Sequence, residues 1–106
     1  MLNPIDLTET QNRFLQEIFT EIYQNDQVRS LEGPLILSIL DKVKTWPAPL
    51  VLTEQEDRRL QVQLEQFVEI ATPYPYPYYP TTFGQDTRQL SIVKGLLKIM
   101  EDARPA

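Results

Sequence analysis

Apolar residues fall into four blocks along this chain, and in each the spacing is helical. In the first, Phe14, Leu15, Ile18, Phe19, Ile22 and Tyr23 recur at i, i+4 with adjacent pairs. That pattern predicts a helix over 8–25 with a stripe wide enough to face two neighbours. Thr8-Glu9-Thr10-Gln11 opens it as a capping box, and Asn25-Asp26 closes it. The second block, Leu35 to Val43, is apolar nearly all round, which places a helix over 30–46 at the centre of the domain. Its start has two readings: Ser30 as the cap with Gly33-Pro34 in the first turn, or Gly33 as the cap with Pro34 at the first helical position.

Pro47 stops that helix. Leu50, Val51 and Leu52 are too apolar for a free loop, so the connector from Trp46 to Leu52 is expected to lie on the core. Trp46 is expected as an anchor there, with a partner for its indole N–H. Thr53-Glu54-Gln55-Glu56 is a second capping box, its acids matched to the positive end of a helix dipole. A third helix follows over 54–72, with Leu60, Leu64, Phe67, Val68 and Ala71 on one face. The fourth is predicted over 87–103. Asp86 and Gln89 form its capping pair after a polar loop at Thr81–Gln85, in which Gly84 is free to take positive φ. Leu90, Val93, Leu97 and Met100 line its face, widened by Ile92, Leu96 and Ile99. Gly95 in its middle costs about 1 kcal/mol relative to alanine, and it suggests close approach of a neighbouring backbone.

One stretch obeys neither period. Residues 73–80 read Pro-Tyr-Pro-Tyr-Pro-Tyr-Tyr-Pro, four of the chain's nine prolines and four of its five tyrosines. Each proline fixes φ, lacks an N–H and disfavours helix at the residue before it. An extended, polyproline-II-like segment of about 25 Å is the expectation. With about 14 residues between Thr72 and Thr87, it is expected to cross the bundle and leave helix 4 parallel to helix 3, since an antiparallel hairpin needs only a short loop. The expected fold is therefore all-α: one domain, 1–106, of four helices with an extended Pro/Tyr crossover between the third and fourth.

Composition narrows the chemistry. There is no cysteine and no histidine, which removes disulfides, thiolate nucleophiles, the commonest general base and the commonest transition-metal ligand. Serines 30, 38 and 91 have no histidine to activate them, and the three glycines are scattered, so no phosphate loop exists. Glu17/Glu21 and Glu65/Glu69 have the i, i+4 spacing of a di-metal bundle site, but not the histidine such sites add. No enzyme activity, cofactor or metal site is expected.

Net charge is −5 at pH 7, which disfavours nucleic acid as a partner. Residues 1–72 carry twelve acids and six bases, and residues 73–106 three acids and four bases. Any cationic face therefore belongs to the last helix, where Arg88, Lys94 and Lys98 form a modest basic strip. No run is long enough to span a bilayer. The first six residues have neither a positive nor an apolar segment of a signal peptide. No membrane partner is expected, and a reducing cytoplasm fits.

The Pro/Tyr stretch has two compatible readings. Prolines stiffen a connector and tyrosines cover the bundle; or Tyr74, Tyr76, Pro77, Tyr78, Tyr79 and Pro80 form a recognition surface, with Pro77-Tyr78-Tyr79-Pro80 matching the P-x-x-P ligand pattern. The sequence thus points to a non-enzymatic protein–protein interaction module, an adaptor, assembly factor or regulator, binding a protein or peptide partner. The alternative is a small-ligand or anion binder using Arg88, Lys94 and Lys98. A homodimer is also expected, because helices 1 and 4 carry stripes wider than one neighbour covers.

Overall fold

A computed structural model describes residues 3–71 and 83–105, with side chains described except at 70, 71 and 83–88. Four helices account for most of them: α1 (Glu9–Tyr23), α2 (Asp26–Val43), α3 (Glu54–Ala71) and α4 (Phe83–Ala103). Among the described residues the only β-type pairing is a single antiparallel bridge between Ile5 and Leu50. The fold is all-α and single-domain, as the periodicity predicts. Residues 73–80, the expected crossover, lie outside the described residues.

Both capping boxes form where the sequence puts them. Thr8 Oγ1 accepts from the Gln11 backbone N–H while Gln11 Oε1 accepts from that of Thr8, at 3.1 and 3.0 Å. Thr53 and Glu56 do the same at 3.2 and 2.9 Å. Each box satisfies two of the backbone donors that a helix start leaves unpaired.

The start of α2 departs from both sequence readings. Asn25 caps it, accepting from the backbone N–H groups of Gln27 and Val28, so Asn25-Asp26 opens α2 as much as it ends α1. Gly33-Pro34 consequently sits inside the helix, not in its first turn. Proline there removes the N–H that would bond the Ser30 carbonyl, and its ring crowds the Cβ of the residue before it. A glycine at 33 has no Cβ to crowd, and Pro34 is exposed. The pair is thus about the least disruptive way to carry proline inside a helix.

α4 also begins early, at Phe83. Gly84 and Gln85 are helical instead of forming a loop, no described glycine has positive φ, and Asp86 lies in the first turn instead of capping it. A carboxylate in that turn still suits the dipole.

The helices alternate in direction. The Asn12 amide near the start of α1 reaches the Val43 carbonyl at the end of α2. Ser38 and Lys42 late in α2 meet Glu56 early in α3, while Glu32 pairs with Arg59 further along. Arg104, just past α4, pairs with Asp57 in the first turn of α3. α4 is therefore antiparallel to α3, which corrects the parallel arrangement expected from connector length. The chain leaves α3 and enters α4 at the same end of the bundle.

Leu15, Phe19, Ile36, Ile39, Leu64 and Val93 are wholly buried, with Leu60, Leu96, Val43 and Met100 nearly so. Each such side chain contributes roughly 1.5–3 kcal/mol through area removed from water. Phe14 and Phe67 meet edge to face, ring centroids 5.6 Å apart, tying α1 to α3. Ile18, Ile22, Ile92, Leu97 and Ile99 pack half-buried against this core.

The connector after α2 lies on the core through Leu50 and Leu52, both buried, while Val51 between them points outward. Trp46 is a partial anchor only: 38% of it is exposed, though its indole N–H does find a partner, the Leu7 carbonyl at 2.9 Å. The peptide bond from Trp46 to Pro47 is cis.

Candidate functional site

The polar side chains buried in this bundle gather at one end, where α1 and α3 begin and α2 and α4 finish. Glu56 is the most enclosed of them, 2% exposed. Its carboxylate accepts from Ser38 Oγ and Lys42 Nζ, both at 2.5 Å, and from the Thr53 backbone N–H at 2.9 Å. Burial pushes a carboxyl's pKa up, but these donors outweigh it and hold Glu56 down at about 2, against an ordinary 4.5. It is ionised throughout the physiological range. Ser38 and Lys42 on α2 thus both donate to one carboxylate at the start of α3, and the three side chains form a single closed node between the two helices.

Two further nodes share that end. Asn12 donates from Nδ2 to the Val43 carbonyl at 2.7 Å and accepts from Gln16 Nε2 at 2.7 Å, so a buried amide strengthens the capping of a carbonyl at the end of α2 that otherwise has only the Trp46 N–H at 3.3 Å. Arg104 donates to Asp57 at 3.2 Å and also to Gln61. The Ile5–Leu50 bridge and an Asn3 N–H to Ala103 carbonyl bond complete this capped end. None of the described buried side-chain N or O atoms goes without a partner.

The residues that sequence singled out are placed as follows. Lys94 and Lys98 are exposed one turn apart on α4. Arg88 is in the same helix, but its side chain lies outside the described ones. Tyr74, Tyr76, Pro77, Tyr78, Tyr79 and Pro80 lie outside the described residues. Glu17, Glu21, Glu65 and Glu69 are solvent-exposed, and no group of carboxylates among the described residues is arranged to hold a metal ion.

Sequence reading missed the tertiary half of the Glu56 node. Thr53–Glu56 is legible as a local box, but Ser38 and Lys42 reach it from 18 and 14 positions away. It also missed the other end of the bundle, where the α1–α2 turn and the last turns of α3 stand apart. An open recess of about 440 Å³ lies there, floored by Ile18, Ile22, Val28 and Phe67. Among the described residues, no helix is long and apolar enough to cross a membrane.

The described residues form a four-helix bundle whose buried polar side chains gather at one end. No protein-family model matches the chain, and neither a curated protein nor a solved structure matches it.

Proposed function

We propose that this protein is a non-enzymatic, cytoplasmic interaction module, an adaptor or regulator that engages a protein partner through Tyr74, Tyr76, Pro77, Tyr78, Tyr79 and Pro80. The observation that carries this reading is the antiparallel pairing of α3 with α4, fixed by Arg104 on Asp57. Neighbouring ends of two helices can be joined by two to eight residues, so a crossing of the bundle does not account for the eight-residue Pro/Tyr run. Proline and tyrosine lose little conformational freedom on binding, and they suit recognition by an aromatic-lined groove. The ionised, fully engaged Glu56 node supports a structural role for the buried charges over a catalytic one.

The test is affinity capture from a lysate of the source organism at low salt and at 1 M salt. Wild type is compared with a variant carrying Tyr→Ala at 74, 76, 78 and 79. A partner held through 1 M salt by wild type and lost by the variant is the expected result. Identical captured sets for the two proteins overturn the reading.

A further inference from the structure

The outward side of α2 is more apolar than a helix facing water needs to be. Leu31 is 84% exposed and Leu37 38%, and Pro34 between them is exposed as well. At about 100° per residue the three lie within about 60° either side of one line. That line runs opposite the buried Ile36, Ile39 and Val43, so the bundle's own core does not cover them.

The pattern along this side is nearly the same read from either end. Outward from Pro34, Leu31 and Leu37 come three positions away, Gln27 and Asp41 seven, and Asp26 and Lys44 eight and ten. Asp26 and Lys44 share one flank of the face. A second α2 laid antiparallel across it, with a two-fold axis at Pro34, brings Leu31 level with Leu37 of the other copy and Gln27 level with its Asp41. The same placement sets Asp26 about 3 Å along the axis from Lys44 of the other copy.

We propose that this face, from Asp26 to Lys44, is a self-association surface on which a second copy of the chain packs its own α2. Charge supports that occupant. Asp26, Arg29, Asp41 and Lys44 are all exposed, and two acids against two bases leave the face neutral on a chain of net charge −5. The bordering charges Lys42 and Glu32 are already paired, with Glu56 and Arg59. Asp26 touches only Arg29 of its own chain, and Lys44 makes no ion pair among the described residues, so each flank gains an ion pair on association. Symmetry selects a second copy over an unrelated helix, which gains nothing from a face that reads alike in both directions. The face is distinct from the stripes of α1 and α4 that suggested a homodimer, and it uses no residue of the Pro/Tyr reading. One helix pair makes a small interface, so the dissociation constant is on the order of 0.1 mM.

The first experiment is sedimentation equilibrium at low salt from about 10 μM to about 1 mM protein, either side of that constant. Mass should rise from 12.4 kDa towards twice that value. Leu31→Asp should weaken association at least tenfold. Lys44→Asp, which opposes Asp26 with a like charge, should weaken it at least fivefold, and adding Asp26→Lys should bring it back to within about twofold of wild type. The second experiment locates the axis. The chain has no cysteine, so Pro34→Cys supplies a single thiol at the two-fold. Helix axes about 10 Å apart, less a Cα radius of about 2.3 Å on each side, put the two Cα atoms about 5 Å apart, within reach of a disulfide. Mild oxidation should cross-link Pro34→Cys and not Glu17→Cys, an exposed control on α1. Circular dichroism checks that each variant keeps its fold. A mass that stays at 12.4 kDa up to about 1 mM, a charge swap that does not restore what Lys44→Asp lost, or equal cross-linking of the two cysteine variants each overturn the proposal.

Discussion

The two ends of this bundle are built on different principles. At the capped end, Asn12, Glu56 and Asp57 are buried, and each is held by partners on other elements. At the other end, α1 gives way to α2 across only Gln24 and Asn25, and beyond that turn Val28 is half-buried while Leu31 is 84% exposed among the described residues. A buried polar group is costly unless every one of its bonds is made, so it penalises alternative packings of its end. A half-covered apolar surface penalises alternatives little. The difference teaches that the groups which enforce one packing are concentrated at one end of the described bundle.

The sharpest way to break this comparison is Leu50→Ala, which deletes a buried side chain from the Ile5–Leu50 bridge. A loss of about 2–5 kcal/mol in chemical denaturation is expected, whereas Val51→Ala, at the exposed neighbouring position, should stay within about 0.5 kcal/mol. Similar losses for the two would mean that the capped end is not packed as described.

Next comes Glu56→Gln, which removes the charge that Lys42 and Ser38 surround. It should cost about 1–3 kcal/mol at pH 7. Because the folded pKa is depressed from 4.5 to about 2, the Glu56 contribution is fully present above pH 4.5 and fades as pH falls from there to 2. Wild type and variant should therefore converge in stability across that interval. A pH-independent gap would show that the loss is one of packing and not of charge.

Asn12→Ala is smaller, about 1–2 kcal/mol, since it removes the buried Nδ2 donor and leaves the Val43 carbonyl only the longer bond from the Trp46 N–H. Hydrogen exchange should localise the effect, with amides at the start of α1 and the end of α2 losing protection before those near Tyr23 and Asp26.

Gly95→Ala has the opposite sign. A Cβ at this position would meet Gln11 Nε2 at 3.7 Å, an ordinary contact, so the close backbone approach suggested by a mid-helix glycine is absent. The variant should gain about 0.5–1 kcal/mol through helix propensity, seen as a higher midpoint in thermal unfolding.

What the sequence made legible was local. Thr8/Gln11 and Thr53/Glu56 are boxes four residues long, and their geometry is decided by the backbone between them. Four helices follow from periodicity for the same reason. The start of α2 was obscured because Asn25 serves two helices at once, and because a proline ninth in a helix looks like a breaker until the glycine before it is taken into account. The direction of α4 was misread because connector length sets only an upper limit on span. Arg104 and Asp57, 47 positions apart, decided it, and no local pattern announces such a pair.

The Asn3 N–H bond to the Ala103 carbonyl, 3.2 Å long, brings the first described residue to the end of α4 at the capped end. Topologically the chain is then nearly a ring, broken where breaking it matters least to the helices. A circularly permuted form, with residues 3 and 105 joined by a short glycine-rich bridge and new ends opened within 72–82, should keep every contact of the capped end. It would release the Pro/Tyr stretch as a free tail, so that whatever this stretch recognises could be separated from the framework that carries it.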